Sequence, residues 1–468
     1  MTLGGTVIDR RRGSAGLFLL VCGLAGITPH WLGPARGLLA STVIALLLGG
    51  YSFRTLLARP QRGVGQMAAV AADRPISASF SSVDVVVAAR DEQAVIASLV
   101  DRLSQLHYPQ EHLKLWVVDD GSTDRTGEIL DELVLRYSQL RVVRRPRDAG
   151  GGKSGALNRV LQDLQGRWLL VLDADADLQP DLLKRVVNYA EAGGWAAVQM
   201  RKAEMNSSVN LLSRAQAMEM ALDAVIQEGR LATGGVAELR GNGQLLRRDA
   251  VITAGGFNEA TVTDDLDLSF RLLLADLPVG VLWDPPVQEE AVLTIQALWR
   301  QRQRWAEGGL QRFFDYGPQL ISGRLRVGCR LDLACFFLIQ YALPQMVIAD
   351  LIGALLTKTA PMVWPISIMA LGLSGVATLK GCRRTCEGPA LPAMNPLDLA
   401  LLMTYFAHWF VVIPWVTLRM ALLPKRLIWM KTTHLGGDPE SSPAGDPGDD
   451  PEDGTDGEPE LAAGAGNI

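Results

Sequence analysis

From Arg36 to Gly328 the chain contains no cysteine. Its five cysteines, Cys22, Cys329, Cys335, Cys382 and Cys386, all lie in or beside apolar segments. That excludes a disulfide framework for the polar middle of the chain and predicts reducing surroundings for it. Cys382 and Cys386 have no second His or Cys pair near them, so the paired spacing of a zinc site is also missing. A large excess of one charge is lacking as well. The formal net charge is −5, yet ten acidic residues and no Lys or Arg fall between Asp438 and Glu460; outside that stretch 40 acidic residues face 45 basic ones, a net +5. So small an excess excludes nucleic acid as a partner and suits a membrane surface or a phosphorylated substrate. The stretch 436–468, rich in Gly, Pro, Asp and Glu, is expected to be a disordered tail.

Apolar runs are plentiful, and they cluster at the two ends of the chain. Leu17–Gly33 and Leu38–Leu57, joined by a short loop with Pro29 and Pro34, predict a membrane hairpin within 1–62. No small-residue cleavage site separates them, which disfavours a signal peptide. Arg10, Arg11 and Arg12 precede the hairpin and Arg54, Arg59 and Arg62 follow it. The positive-inside rule then makes both flanks, and the domain that follows, cytoplasmic. Within 329–424 lie Leu331–Leu356, Met362–Leu379 and Leu397–Met420, with Arg383 and Arg384 marking a cytoplasmic connection. Three crossings would carry the chain to the far side, but Lys425, Arg426 and Lys431 follow the last run. One segment is therefore re-entrant or interfacial.

Between these ends, residues 80–328 read as alternating strands and helices, the pattern of a mostly parallel sheet. Val83–Ala88, Leu113–Val118, Arg141–Arg144 and Trp168–Leu172 are the strand runs. Helical spacing is clear from Val95 to Leu106 and from Ile129 to Tyr137. Each strand run ends in polar or glycine-rich residues, where open α/β sheets place their ligands.

Four motifs carry chemistry, two of them at such ends. Asp173-Ala174-Asp175 follows an apolar strand, and two carboxylates so spaced can hold Mg²⁺ against a diphosphate. An EF-hand would need Gly at its sixth position and Glu at its twelfth; Leu178 and Lys184 stand there. Asp119-Asp120-Gly121-Ser122-Thr123 places paired carboxylates at a second strand end, with Gly121 permitting a tight turn and Ser122 or Thr123 expected to cap the next helix. Thr263-Asp264-Asp265 opens a predicted helix and supplies a candidate general base. Gln301, Arg304 and Trp305 fall in a stretch that also holds Trp299, Arg300 and Arg302, where Arg can offset diphosphate charge and Trp offers a flat apolar face. Gly150–Gly155 is no Walker A motif, because Arg147 stands where its first Gly belongs, but Lys153 at a helix start still suits phosphate. Gly241-Asn242-Gly243 lacks the third glycine of a dinucleotide fingerprint, since Leu246 stands there.

In this order the motifs resemble those of the inverting family-2 glycosyltransferases, the group that includes cellulose and hyaluronan synthases. The resemblance implies a GT-A (Rossmann-like) α/β catalytic domain between N-terminal and C-terminal transmembrane helices. It implies that Ala89, Arg90, Asp91, Glu92 and Asp120 contact the nucleoside of a UDP-sugar, with Lys153 and Asp173 also on the donor side. Asp175, with Asp173 nearby, would ligate Mg²⁺ or Mn²⁺, Asp265 would be the base, and Gln301, Arg304 and Trp305 would line the acceptor and leaving-group side. Residues 150–158, 239–248, 263–272, 304–309 and 423–434 are further similar to the cyanobacterial β-monoglucosyldiacylglycerol synthases, from about Ser82 to His434. That resemblance implies transfer of glucose from UDP-glucose to diacylglycerol in a thylakoid or plasma membrane. A processive polysaccharide synthase would need more helices for a channel. A polyprenyl-phosphate acceptor would need cations such as Arg300, Arg302 and Arg304.

Overall fold

The computed structural model describes residues 3–59, 80–393 and 395–423. Arg62, the basic residues after Leu423, most of the 423–434 similarity segment and the acidic stretch lie outside the described residues. The hairpin is two helices, α1 (Leu3–Trp31) and α2 (Pro34–Leu57), separated by Leu32 and Gly33. Helix α1 starts well before the apolar run, so Arg10–Arg12 are helical. Arg11 is also buried and ion-paired with Asp315 at 2.5 Å.

The four strand runs form β1 (Val83–Ala89), β2 (Leu113–Asp119), β3 (Leu140–Arg144) and β4 (Trp168–Leu172). With β5 (Ala197–Glu204), β6 (Gln244–Arg247) and β7 (Val279–Glu289) they make one sheet, ordered β3-β2-β1-β4-β6-β5-β7. All neighbouring pairs are parallel except those of β6, which runs against β4 and β5. The helices of this part are α3 (Ile96–Ser104), α4 (Thr126–Arg136), α5 (Gly152–Leu161), α6 (Leu182–Gly193), α7 (Leu211–Ala232), α8 (Arg248–Thr253) and α9 (Asp264–Leu274).

Strand β1 shows why its sequence is a continuous apolar run rather than an alternating one. Val83, Val85 and Val87 pack with Leu99 of α3 and Val186 of α6 on one face, while Val86 and Ala88 pack with Val160 of α5 and Leu268 of α9 on the other. The exception, Asp84, is buried but satisfied. It accepts hydrogen bonds from Trp116 Nε1 (3.0 Å) and from the backbone N–H groups of Gln165 (2.8 Å) and Gly166 (2.5 Å).

Helix α10 (Ile295–Ile321) joins this domain to the apolar helices that follow: α11 (Val327–Phe337), α12 (Leu343–Thr357), α13 (Trp364–Cys382), α14 (Pro396–Phe406) and α15 (Trp409–Leu422). A π-helical turn at Leu338–Ala342, just ahead of Pro344, separates α11 from α12. Taken as continuous runs, Arg10–Trp31, Pro34–Leu57, Val327–Thr357, Trp364–Cys382 and Pro396–Leu422 are long and apolar enough to cross a membrane.

Buried charge ties the two parts together. Arg230 of α7 donates twice to Asp332 of α11 (3.0 and 2.8 Å), and Tyr51 of α2 donates to the same carboxylate at 2.5 Å. Removing one partner of such a pair strands the other. Asp332→Ala should therefore cost about 3–5 kcal/mol and lower the unfolding temperature of the solubilised protein, whereas Tyr51→Phe should cost about 1 kcal/mol. Thermal unfolding followed by circular dichroism checks both.

Candidate active site

The strand directions bring distant motifs to one sheet edge. Parallel strands β1, β2 and β4 end at Ala89, Asp119 and Leu172, so the residues after each emerge side by side. Strand β6 runs the other way, so Arg240–Gly243, which precede it, reach that same edge. Asn242 uses this position: its side-chain oxygen accepts the backbone N–H of Asp173 at 3.1 Å. Strand β7 ends at Glu289, beside the end of β5, and Lys202 Nζ pairs with Glu289 at 2.6 Å.

A cavity of about 480 Å³ opens at this edge. Its polar wall holds Glu92, Lys153, Asp173, Asp175, Asp265, Gln301, Arg304 and Trp305, all expected site residues. The cavity continues between helices, where Ile339, Leu343, Met369, Leu373 and Phe410 line it. Ala89, Arg90 and Asp120 are not on its wall. Arg90 and Arg145 both pair with the Asp120 carboxylate, the former at 3.6 Å, and burial nonetheless pushes the Asp120 pKa up. The loop beside it differs from expectation. Ser122 and Thr123 do not cap α4; Ser122 Oγ accepts the Asp91 N–H (2.9 Å) and the Thr123 N–H goes to Asp91 (2.6 Å), while Asp124 accepts the Thr126 N–H (2.9 Å). Gly121 does adopt φ +72°, and a Cβ there would stand 2.5 Å from the Arg147 backbone.

Carboxylates outnumber cations on the cavity wall. Lys153, in the first turn of α5, lies 2.5 Å from Asp173. Burial opposes charge on both, but their mutual attraction wins: the Lys153 pKa is raised and that of Asp173 lowered, with Lys202 and Arg304 also favouring the carboxylate. Asp175 is buried and accepts the Glu290 N–H at 3.3 Å. Among the described residues no cluster of three or more His, Cys, Asp or Glu side chains could enclose a metal ion. Asp173 and Asp175 are hard oxygen donors on one wall. Two such carboxylates, completed by substrate phosphates, fit the way Mg²⁺ is usually held.

Asp265 sits in the first turn of α9, after Thr263. Burial and the adjacent Asp264 push its pKa up to about 6, against the pull of the Leu266 N–H, Lys153 and Arg240. The loop before it is gripped from several sides. Gln311 Oε1 accepts from Thr261 Oγ1 (3.2 Å) and the Val262 N–H (3.3 Å), and Arg11 Nη1 donates to Ala260 O (2.8 Å). Gly308 and Gly309 explain how α10 fits here: a Cβ on the first would collide with Thr263, and one on the second with the Tyr341 hydroxyl. Arg302 is no free cation for an acceptor phosphate. It is buried, pairs with Glu219 of α7 at 2.5 Å, and stacks 4.0 Å from the Trp305 ring centroid. Lys202 lies near the same ring, at 5.3 Å. Lys202 and Glu289 carry no motif of their own, and only the strand-end position of Glu289 hints at it; Asn242 falls within the 239–248 similarity segment.

Residues 81–308 match the family model described as glycosyltransferase like family 2. The chain is 43% identical over 431 residues to a β-monoglucosyldiacylglycerol synthase of Synechocystis sp., covering 91% of this chain and 89% of that one. It is 41% identical to the enzyme of that name from Nostoc sp., covering 91% and 90%. Among solved structures it is similar to a mannosyltransferase of Pyrobaculum calidifontis in complex with GDP-Man and Mn²⁺, at 19% identity and a TM-score of 0.49 over 73% of this chain and 99% of that one. At that distance the likeness carries no argument about chemistry. The chain belongs to the family-2 glycosyltransferases, with a GT-A domain set among apolar helices, and within them to the β-monoglucosyldiacylglycerol synthases.

Proposed function

We propose that the protein transfers a glucosyl group from UDP-glucose to the free hydroxyl of 1,2-diacylglycerol, with inversion, on the cytoplasmic side of its membrane. The observation that carries this reading is the cavity, in which carboxylates and cations share one space with the apolar side chains of membrane-length helices. A charged, water-soluble donor and a lipid acceptor need those two environments in contact. Relatives at 43% and 41% identity, named for a glucosyldiacylglycerol product, support the choice of sugar and lipid.

The reaction on this reading is a single displacement. The acceptor oxygen bonds to the anomeric carbon as the bond from that carbon to the β-phosphate oxygen breaks. The electron pair departs with UDP, and the hydroxyl proton passes to Asp265. An alcohol is far too weak an acid to ionise beforehand, so the base acts during attack. A carboxylate with a pKa near 6 is ionised at neutral pH and is a stronger base than an ordinary one. Lys153 and Arg304 offset charge on the departing diphosphate, and Trp305, held in place by Arg302 over its ring, walls the sugar side of the cavity. Asp175 and Asp173 would hold Mg²⁺ or Mn²⁺, which when bound neutralises the diphosphate.

Purified protein in lipid micelles, given radiolabelled UDP-glucose, Mg²⁺ and diacylglycerol, should make one chloroform-soluble product that requires the diacylglycerol. Insoluble polymer formed without added lipid would overturn the reading in favour of a polysaccharide synthase. Asp265→Asn should lower turnover about 10²–10⁴-fold while leaving metal-dependent UDP-glucose binding intact by calorimetry, whereas Asp175→Asn should lose both. The turnover rate should fall about tenfold per pH unit below about pH 6, as the base becomes protonated. Asp264→Asn removes the like charge that raises the Asp265 pKa, so a pH–rate profile of that variant should show the acid limb at lower pH.

A further inference from the structure

Four of the five membrane-length segments have one end at the catalytic domain and the other in a distant cluster. Helix α1 joins Asp315 through Arg11, and at its other end His30 meets Asp350 (2.8 Å) and Thr359 (2.6 Å). Asp350, far along the α11–α12 segment that begins beside Arg230, also accepts the N–H groups of Met362 (2.8 Å) and Val363 (3.1 Å) ahead of α13. Helix α13 then returns to Glu228 of α7 through Arg384, just past its end. Helix α2 starts against Pro29 and Met362 and ends with Arg54 donating to Thr233 O at 3.1 Å.

The fifth segment, α14–α15, behaves differently. Its start is held by Asp398 pairing with Arg214 of α7 at 2.8 Å. Its middle is held by Tyr405 and Trp409, which donate to Glu219 of α7 at 2.7 and 3.2 Å. Its end is held by Arg419, which pairs with Glu307 of α10 at 2.6 Å and donates to Gln303 at 2.9 Å. A 27-residue helix that crossed would separate its ends by about 40 Å, and the far end could not reach α10. The segment is also broken at Ala407 and His408 into helices of 11 and 14 residues, about 17 and 21 Å long, each short of a hydrocarbon core of about 30 Å. Helix α15 buries Val412, Ile413 and Val416 against its neighbours, yet Val411, Trp415, Leu418 and Leu422 form an exposed stripe at helical spacing. Exposed Leu397, at the start of α14, extends the apolar surface, and Leu211 and Ile295 are exposed at the starts of α7 and α10, the helices to which the segment is tied.

We propose that α14–α15 does not cross the membrane but lies in its interface beneath the catalytic domain, as a lipid-facing plate whose break forms the mouth of the cavity. Phe406, Trp409 and Phe410, on either side of the break, line that cavity. The occupant of the exposed stripe is the bilayer itself, because the stripe continues the apolar surface of the crossing helices. Four crossings then return the chain to the catalytic side, which accounts for the Lys and Arg residues after Leu423.

Sidedness tests this without reference to any substrate. Ala393→Cys and Leu423→Cys bracket the segment; Gln162→Cys marks the catalytic domain and Trp31→Cys the opposite face. Each variant in sealed vesicles is treated with a membrane-impermeant maleimide, with labelling of the parent protein subtracted. Both bracketing positions should react together with Gln162→Cys, from the face opposite to Trp31→Cys. Reaction of Leu423→Cys with the Trp31→Cys face, or of either bracketing position only after solubilisation, would overturn the proposal. A second arm rests on the proposed activity. Trp415→Asp should raise the apparent KM for diacylglycerol in vesicles about fivefold without changing that for UDP-glucose. An unchanged diacylglycerol KM would contradict the lipid-facing assignment, whereas loss of all transfer by the parent protein would count against the activity alone.

Discussion

A guanidinium buried at the meeting of three helices holds this molecule in working order. Arg302 of α10 is 1% exposed and pairs with Glu219 of α7. It also donates to Tyr405 of α14 at 2.7 Å and stacks on Trp305. Burying a charge is expensive unless it is paired and hydrogen-bonded, so the three helices cannot separate without exposing an unpaired ion. One side chain thereby holds the wall of the catalytic cavity, a helix packed against the sheet, and the last apolar segment in a single arrangement. Arg230 with Asp332 repeats the device farther along α7, and the partly exposed Arg419 pairs with Glu307 on α10.

Within that frame the chemistry depends on unequal treatment of similar carboxylates. Asp173 is kept ionised by Lys153 and suits a cation-binding role. Asp265 is buried beside another carboxylate and has its pKa raised to about 6, which suits a base. The difference comes from position alone: one acid ends a strand opposite a lysine, the other opens a helix next to Asp264. Both line the same cavity, and Gly241, on the approach to β6, lies against the Asp265 carboxylate.

Much of this is legible in the sequence, for local reasons. Strands β1 and β4 are apolar on both faces, so their runs stand out, as does Asp173 just past β4, and the apolar helices announce themselves by length. The order of weak motifs carries the family. What stays hidden is what needs a partner from elsewhere. Lys202 and Glu289 acquire meaning only when β5 and β7 pair, and the four residues of β6 are too few to show a period. Arg302 reads as a spare cation until Glu219 is placed beside it, and Arg11 reads as a topology signal until Asp315 is. Ser122 and Thr123 look like helix caps, yet Asp91, thirty-odd residues away, takes them instead.

The central claim is that one cavity holds the water-soluble donor and the lipid acceptor together, with Asp265 on its wall. Photo-crosslinking tests it most directly. A diacylglycerol carrying a diazirine on one acyl chain would be irradiated with the purified protein in micelles, with and without UDP, and the labelled peptides mapped by mass spectrometry. The account predicts label on the helices that line the apolar half of the cavity, around Ile339–Leu343 and Met369–Leu373, reduced by competing unlabelled diacylglycerol. Label confined to outward-facing residues such as Leu355 and Leu356, and insensitive to competitor, would contradict it.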